Sequence, residues 1–154
     1  MNPQHSYDSH LVWEGSTGAG VRDYPRTHWV VAPPARTELT LSADPHFRGE
    51  ADFLNPEQLV VVAASSCQLL SFLALAATEG VDVVSYVDEA RGVMPDPPTR
   101  LTRIDLAPEI AVAAGTDPDL VHRLVEQAHQ GCYVANSLYT QVVITPTVIE
   151  ASQA

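Results

Sequence analysis

The sequence contains no lysine, and its only strongly basic side chains are eight arginines, set against nineteen acidic residues. The absence of lysine excludes Schiff-base chemistry and a phosphate-binding loop of the lysine type. The net charge of −11 argues against a nucleic-acid partner, because binding to a phosphate backbone depends on a basic surface. The composition is otherwise that of an ordinary globular protein.

Export and membrane signals are also scarce. The first ten residues include neither a basic segment nor an apolar one, so the sequence predicts a cytoplasmic protein. Residues 59–77 carry no charge and are nearly long enough to span a bilayer. Polar residues interrupt this run, and it lacks flanking basic residues and aromatic belts, which favours a core helix over a membrane span.

Cysteine is limited to Cys67 and Cys132. No CxxC or HxxxH pair is present, which argues against a zinc site, and no metal or cofactor is predicted. Taken alone, a cysteine on an apolar helix is most simply a small buried apolar residue. A reactive thiol needs a nearby cation or hydrogen-bond donors, because only the thiolate reacts. In a cytoplasmic chain the two thiols fit a peroxidatic and resolving pair better than a structural disulfide or a metal site.

The segment from Asn55 to Gly80 predicts the dominant helix. Asn55 can cap it, Pro56 suits its first position, and Gly80 is typical of a helix end. Because this helix is apolar on almost every face, we expect it to be buried on nearly all sides by a wrapping sheet or a second subunit.

The remaining elements complete an α+β fold with a mainly antiparallel sheet, a long central buried helix and a second amphipathic helix. The length of 154 residues predicts a single domain over residues 1–154. The second helix follows the cap Asp117 and ends at Gly131, with a further helical turn through Asn136. Strands are predicted over residues 7–14, 28–32, 38–41, 81–94, 100–113 and 141–150.

Several motifs together resemble the OsmC/Ohr family, the osmotically inducible and organic hydroperoxide resistance proteins. They are NPEQL at residues 55–59, a cysteine eight residues after its leucine, and AHQGC at residues 128–132 with VANS after one further residue. The segment TGAGVRDY and the last strand also fit, so the resemblance covers nearly the whole chain. It implies an intertwined homodimer with sites at the subunit interface.

The resemblance also implies a thiol-dependent peroxidase that reduces organic hydroperoxides, with a lipoyl-type dithiol as reductant. Cys67 matches the peroxidatic cysteine, Cys132 the resolving cysteine, and Glu57 the acid that orients an arginine. That arginine is Arg22 by its match to the hydroperoxide-resistance branch, and Arg48 is the alternative. A non-enzymatic dimer that binds a small hydrophobic ligand is the alternative function.

Two features of the long helix qualify this interpretation. Ten helical residues separate Glu57 from Cys67, about 15 Å along the axis, so an arginine or a partner subunit must bridge the gap. Gln68 stands where the resemblance leads us to expect an aromatic residue or a histidine, which leaves the shape of the pocket open.

Overall fold

The computed structural model describes residues 4–151. The chain divides into two compact units, Met1–Leu59 and Val60–Ala154. The assignment of the whole chain to a single domain stays a prediction. The class is α+β, with mostly antiparallel strand pairs and two main helices, as the sequence predicts.

The first unit contains one antiparallel sheet of three strands. Strands β1 (His10–Val12), β2 (His28–Val31) and β3 (Glu38–Leu41) pair in the order β1-β2-β3. The second and third agree with the predicted strands within one residue, whereas the first is shorter than predicted. A short 3-10 helix at Thr17–Ala19 lies between β1 and β2.

The long helix α1 spans Pro56–Thr78, and both of its ends follow from the local sequence. The Asn55 side-chain oxygen accepts a hydrogen bond from the backbone amide of Gln58 at 2.8 Å. The Gln58 side-chain oxygen accepts one from the backbone amide of Asn55 at 3.0 Å. This reciprocal pair is a capping box. At the other end Gly80 has φ of +72°, and the Val81 amide donates to the Ala76 carbonyl at 2.8 Å. That geometry is a Schellman cap, which glycine accommodates without strain.

The second unit does not by itself bury α1 on nearly all sides, so that expectation depends on a second subunit and stays a prediction. One face alone is buried, at residues spaced four apart: Ala64, Gln68, Phe72 and Ala76. On the other side Val62 and Leu70 are 54% and 64% exposed. Within the second unit, the strands and the second helix pack against one stripe of α1.

By length and composition, α1 would also be long enough to cross a membrane. Its buried face, however, packs against strands: Phe72 and Ala76 share a core cluster with Ile110 and Val112. Those strands belong to an open three-stranded sheet. The interior of a lipid bilayer does not accommodate the unpaired backbone N–H and C=O groups at the edges of such a sheet. Helix α1 is therefore explained as the helix of a packed core with one uncovered face.

The second unit contains two further sheets. Their strands are β4 (Val83–Asp88), β5 (Arg91–Val93), β6 (Arg103–Leu106), β7 (Pro108–Val112), β8 (Gln141–Ile144) and β9 (Thr147–Glu150). One sheet has the order β4-β7-β9 and the other β5-β6-β8. The β4–β7 and β5–β6 pairs are antiparallel, as predicted, whereas β7–β9 and β6–β8 are parallel.

Each of the three long strands predicted for this unit is in fact two strands, one in each sheet. The chain changes sheet at residues 89–90, at Ala107 and at residues 145–146. At the first of these crossings, Asp88 accepts from the Ala107 amide at 2.8 Å and from the Ser65 hydroxyl at 2.5 Å. The Asp88 carboxylate therefore links α1 to two of the points at which the chain passes from one sheet to the other.

Helix α2 spans Pro118–Gln130 and begins at Asp117, whose side chain accepts from the Asp119 amide at 3.0 Å. Its buried residues share the core cluster of Phe72: Val121, Leu124, Val125 and Ala128. A single turn, α3 (Tyr133–Ser137), follows almost at once. Both helices agree with the prediction, and their junction holds the second cysteine.

Candidate active site

Cys67 lies in the middle of α1, beside the buried face of that helix. Its side chain is half-buried, whereas that of the next residue, Gln68, is 1% exposed. The Gln68 amide nitrogen donates to the carbonyl of Val125 on α2 at 3.1 Å, which joins the two helices one residue away from Cys67. The sulfur is therefore carried on a rigid element, at the edge of the packed core.

Cys132 lies at the junction between α2 and α3. Gly131 ends α2, and the Cys132 amide donates to the His129 carbonyl at 3.2 Å. The Asn136 side chain then donates to the Gln130 carbonyl at 3.0 Å, which holds α3 against the end of α2. The Cys132 side chain is 1% exposed, so this junction places a thiol inside the second unit.

The structure brings Cys67 and Cys132 together as two free thiols. The Cys132 thiol donates a hydrogen bond to the Cys67 sulfur, a contact that lowers the pKa of Cys67 and raises that of Cys132. The sequence could not show whether the two residues meet, because 65 residues separate them.

The environment of Cys67 favours its thiolate. Burial raises its pKa, but four hydrogen-bond donors outweigh burial and hold it below its ordinary value of 9.0. In decreasing order of effect, the donors are the Val134 amide, the Cys132 thiol, the Tyr133 amide and the Ser71 hydroxyl. A thiolate that accepts several hydrogen bonds is stabilised relative to the thiol.

The environment of Cys132 has the opposite effect. Burial raises the pKa of this thiol, and the hydrogen bond and the negative charge of Cys67 raise it further. The backbone amide of Ala135 lowers it in part. The first proton that the pair loses therefore leaves from Cys67, and Cys132 remains the protonated partner.

Cys67 opens onto a cleft of about 450 Å³ on the second unit. Its lining is mainly apolar, and the polar side chains in it are two serines, one tyrosine and the thiol. The lining residues are Ala63, Ser66, Cys67, Leu70, Ser71, Tyr133 and Val134. A small molecule with an apolar body and one polar end could therefore reach the sulfur.

The other predicted site residues, Arg22, Arg48 and Glu57, belong to the first unit. Both arginines are exposed, and Glu57 lies half-buried in the first turn of α1. In the described part of that unit, Glu57 forms no ion pair with either arginine. Arg48 ends the short 3-10 helix Pro45–Phe47 with φ of +67°, which is uncommon for a residue other than glycine.

Three groups that touch the Cys67 sulfur were not predicted: the Ser71 hydroxyl and the amides of Tyr133 and Val134. Ser71 could have been found, because residues four apart lie on the same face of a helix. The two amides could not, since their position depends on how α3 packs. Val134 of that helix and Leu138, which follows it, pack against the cluster of Ala64, Ile104 and Leu106.

The geometry defines a class of protein: an α+β protein with two free thiols in contact at an open cleft. The chain belongs to the family of OsmC-like proteins, whose model matches residues 49–147. The resemblance drawn from the sequence motifs is thereby confirmed. No curated protein is significantly similar to this chain.

Solved structures of OsmC-like proteins have the same fold. An OsmC-like protein of unknown function from Vibrio cholerae is 27% identical, with a TM-score of 0.83 over 93% of this chain and 99% of that chain. An organic hydroperoxide resistance protein OsmC from Legionella pneumophila is 16% identical, with a TM-score of 0.68 over 96% and 98%.

OhrB of Bacillus subtilis, an organic hydroperoxide resistance protein, is 12% identical, with a TM-score of 0.61 over 94% of this chain and 98% of that chain. At such identities the last two proteins establish the fold alone.

Proposed function

We propose that this protein is a thiol-dependent peroxidase that reduces organic hydroperoxides to alcohols in the cytoplasm. The observation that carries the proposal is the contact between Cys67 and Cys132 at an open apolar cleft, with the thiolate favoured on Cys67. A low-pKa, accessible cysteine beside a second thiol is the arrangement that peroxide chemistry requires. The family membership and the names of two structural neighbours support the substrate class.

In the first step the Cys67 thiolate attacks the terminal oxygen of the hydroperoxide. A sulfur–oxygen bond forms as the oxygen–oxygen bond breaks, and the electron pair leaves on the alkoxide. The alkoxide takes a proton from water and departs as the alcohol, which leaves Cys67 as a sulfenic acid. The sulfur is oxidised by two electrons and the peroxide is reduced by two.

In the second step Cys132 attacks the sulfur of the sulfenic acid. Cys132 first loses its proton, and its thiolate then forms the disulfide bond as hydroxide leaves Cys67. The hydroxide is protonated to water. Once Cys67 is a neutral sulfenic acid, the charge that helps to raise the pKa of Cys132 is gone. Cys132 therefore becomes easier to deprotonate when it is needed as a nucleophile.

A dithiol of the lipoyl type completes the cycle in this proposal. One of its thiolates attacks the disulfide to form a mixed disulfide, and its second thiol closes on the first to release the reduced pair. The uncovered apolar cleft suits a reductant with an aliphatic chain. No bound cofactor takes part in these steps.

The proposal includes a homodimer, and the exposed side of α1 supports it. Val62, Leu70 and Leu73 are exposed apolar residues on this one helix. An apolar surface of this kind is typical of an interaction site. In the dimer, Arg22, or alternatively Arg48, stabilises the Cys67 thiolate and polarises the peroxide, while Glu57 holds the guanidinium by a paired hydrogen bond.

The test is a peroxidase assay with an organic hydroperoxide and dihydrolipoic acid as reductant. We expect turnover by the wild type and none by Cys67→Ser. Without dihydrolipoic acid, Cys132→Ser should consume about one peroxide per chain and then stop at the Cys67 sulfenic acid, because no Cys67–Cys132 disulfide can form. Equal turnover by wild type and Cys67→Ser would contradict the proposal. In that case binding of a small hydrophobic ligand to the cleft, without any reaction, would be the better assignment.

A further inference from the structure

We propose that Ser71 is a further catalytic residue of the Cys67 site: its hydroxyl donates a hydrogen bond to the sulfur that attacks the substrate. Ser71 lies one helical turn after Cys67 on α1, and both side chains line the same cleft. Residues four apart on a helix lie one above the other, so the hydroxyl reaches the sulfur with no change in the backbone.

In the described part of this unit, the Ser71 hydroxyl does not form the backbone hydrogen bond that two other helical hydroxyls form. A serine or threonine within a helix commonly donates to the carbonyl four residues earlier. Thr78 does so to Ala74 at 2.8 Å, and Ser137 does so to Tyr133 at 2.6 Å. The Ser71 hydroxyl instead lines the cleft together with the sulfur of Cys67, four positions earlier, and it lowers the pKa of that thiol.

Ser71 is the donor of this site that a side-chain substitution can remove most cleanly. The Val134 and Tyr133 donors are backbone amides, and Cys132 is the proposed resolving thiol. Besides the two cysteines, Tyr133 is the one titratable side chain that lines or contacts this cleft in the described part of the second unit. A pH profile of Cys67 therefore reports mainly on these few groups.

The contribution of Ser71 to peroxide reduction rests on the proposed function, whereas its hydrogen bond to the thiolate does not. The experiment accordingly measures alkylation of Cys67 by iodoacetamide against pH, with the extent of labelling at each cysteine followed by peptide mass spectrometry. For Ser71→Ala we expect the midpoint of the curve of Cys67 alkylation rate against pH to move up by about 0.5 to 1 pH unit.

The rate at pH 7 should fall by only about twofold to fivefold in Ser71→Ala, because a more basic thiolate is also a stronger nucleophile. For the same reason the rate at high pH should not fall. A substitution that merely disturbed the packing of α1 would not produce this combination. Alanine is a good helix former, so the variant is expected to fold.

Two matched variants complete the design. Ser71→Thr keeps the hydroxyl and should keep the midpoint close to that of the wild type. Ser66→Ala removes a neighbouring hydroxyl of the cleft that does not shift the pKa of Cys67, and its midpoint should also be unchanged. An unchanged midpoint in Ser71→Ala, or an equal shift in Ser66→Ala, would overturn the inference. A shift confined to Ser71→Ala would uphold the hydrogen bond even if the peroxidase assay failed.

Discussion

The Cys132 thiol donates a hydrogen bond to the Cys67 sulfur, and the two thiols have opposite tendencies to ionise. Burial raises both pKa values, but the Val134 amide and the Cys132 thiol help to bring the pKa of Cys67 below its ordinary value. Cys67 is half-buried on a cleft, whereas Cys132 is fully buried behind it. The accessible thiol is therefore the one that carries the charge. This asymmetry assigns the attacking role in our proposal to Cys67 and the resolving role to Cys132.

The first prediction concerns this hydrogen bond. Because the Cys132 thiol lowers the pKa of Cys67, Cys132→Ala should raise that pKa, and Cys132→Ser should raise it less because its hydroxyl can still donate. The thiolate fraction grows as the pH rises through the pKa, so the alkylation curve of Cys67 should move to higher pH in the alanine variant. A curve for Cys132→Ala that coincides with that of the wild type would show that the hydrogen bond has no effect.

The second prediction concerns the buried amide of Gln68. Its nitrogen donates to Val125, but its oxygen is buried without a partner among the described residues. Gln68→Met removes one hydrogen bond and one unpaired polar atom together, and the free energy of unfolding should change by less than about 1.5 kcal/mol. Gln68→Glu has nearly the same shape but buries a charge, and we expect a loss of at least about 2 kcal/mol at pH 7.

Chemical denaturation at pH 7 and at pH 5 would measure both variants of Gln68. The glutamate variant should recover part of its stability at pH 5, since burial favours the neutral carboxyl group. The methionine variant should show no such difference beyond that of the wild type. Equal stability of the glutamate variant and the wild type at pH 7 would mean that water reaches this position.

The ends of the helices could be predicted from sequence, and the contacts at the site could not. Asn55, Gly80 and Asp117 act on backbone groups within a few residues of themselves, so their effect is visible in the local sequence. The breaks in the predicted strands depend on which sheet each half joins, and that is a long-range property. The strand that crosses at Ala107 has no glycine at the break, but Pro108, the first residue of β7, is a local sign of it, because a strand tolerates proline at its first position.

The same distinction explains the partial success at the site. Cys67 and Cys132 could be singled out because cysteine is rare in this chain. Their contact depends on how α2 and α3 pack beside α1, which involves Val125 and Val134 at a distance in sequence. Apolar residues at such positions predict a core but do not predict which polar atoms meet at its edge.

The third prediction concerns the uncovered face of α1. If a second copy of the chain covers it, Leu73→Glu should shift the protein from dimer to monomer at micromolar concentration, because a charge would be buried in the interface. Analytical ultracentrifugation would measure the change. Val87→Glu is a matched control, since Val87 is an exposed apolar residue on strand β4 rather than on α1. A Leu73→Glu protein that remained dimeric would place the interface elsewhere.

The fourth prediction separates the two candidate arginines. If Arg22 supports Cys67, Arg22→Ala should lower kcat/KM for the hydroperoxide by about 100-fold, as expected when a charged donor to the reacting atoms is lost. Arg48→Ala should then change kcat/KM by less than about threefold. Glu57→Gln should reproduce part of the Arg22→Ala effect, because the carboxylate is proposed to orient the guanidinium.

Arg48 also allows an independent check on stability. Its φ of +67° is unfavourable for any residue with a side-chain β-carbon, so Arg48→Gly should relieve backbone strain. A backbone position kept strained by a large polar residue is consistent with a functional role for its side chain. We expect Arg48→Gly to raise the free energy of unfolding by about 0.5 to 1 kcal/mol. If this variant also lost peroxide reduction while Arg22→Ala retained it, Arg48 would be the catalytic arginine. If Arg48→Gly were as active as the wild type, Arg22 would keep that role.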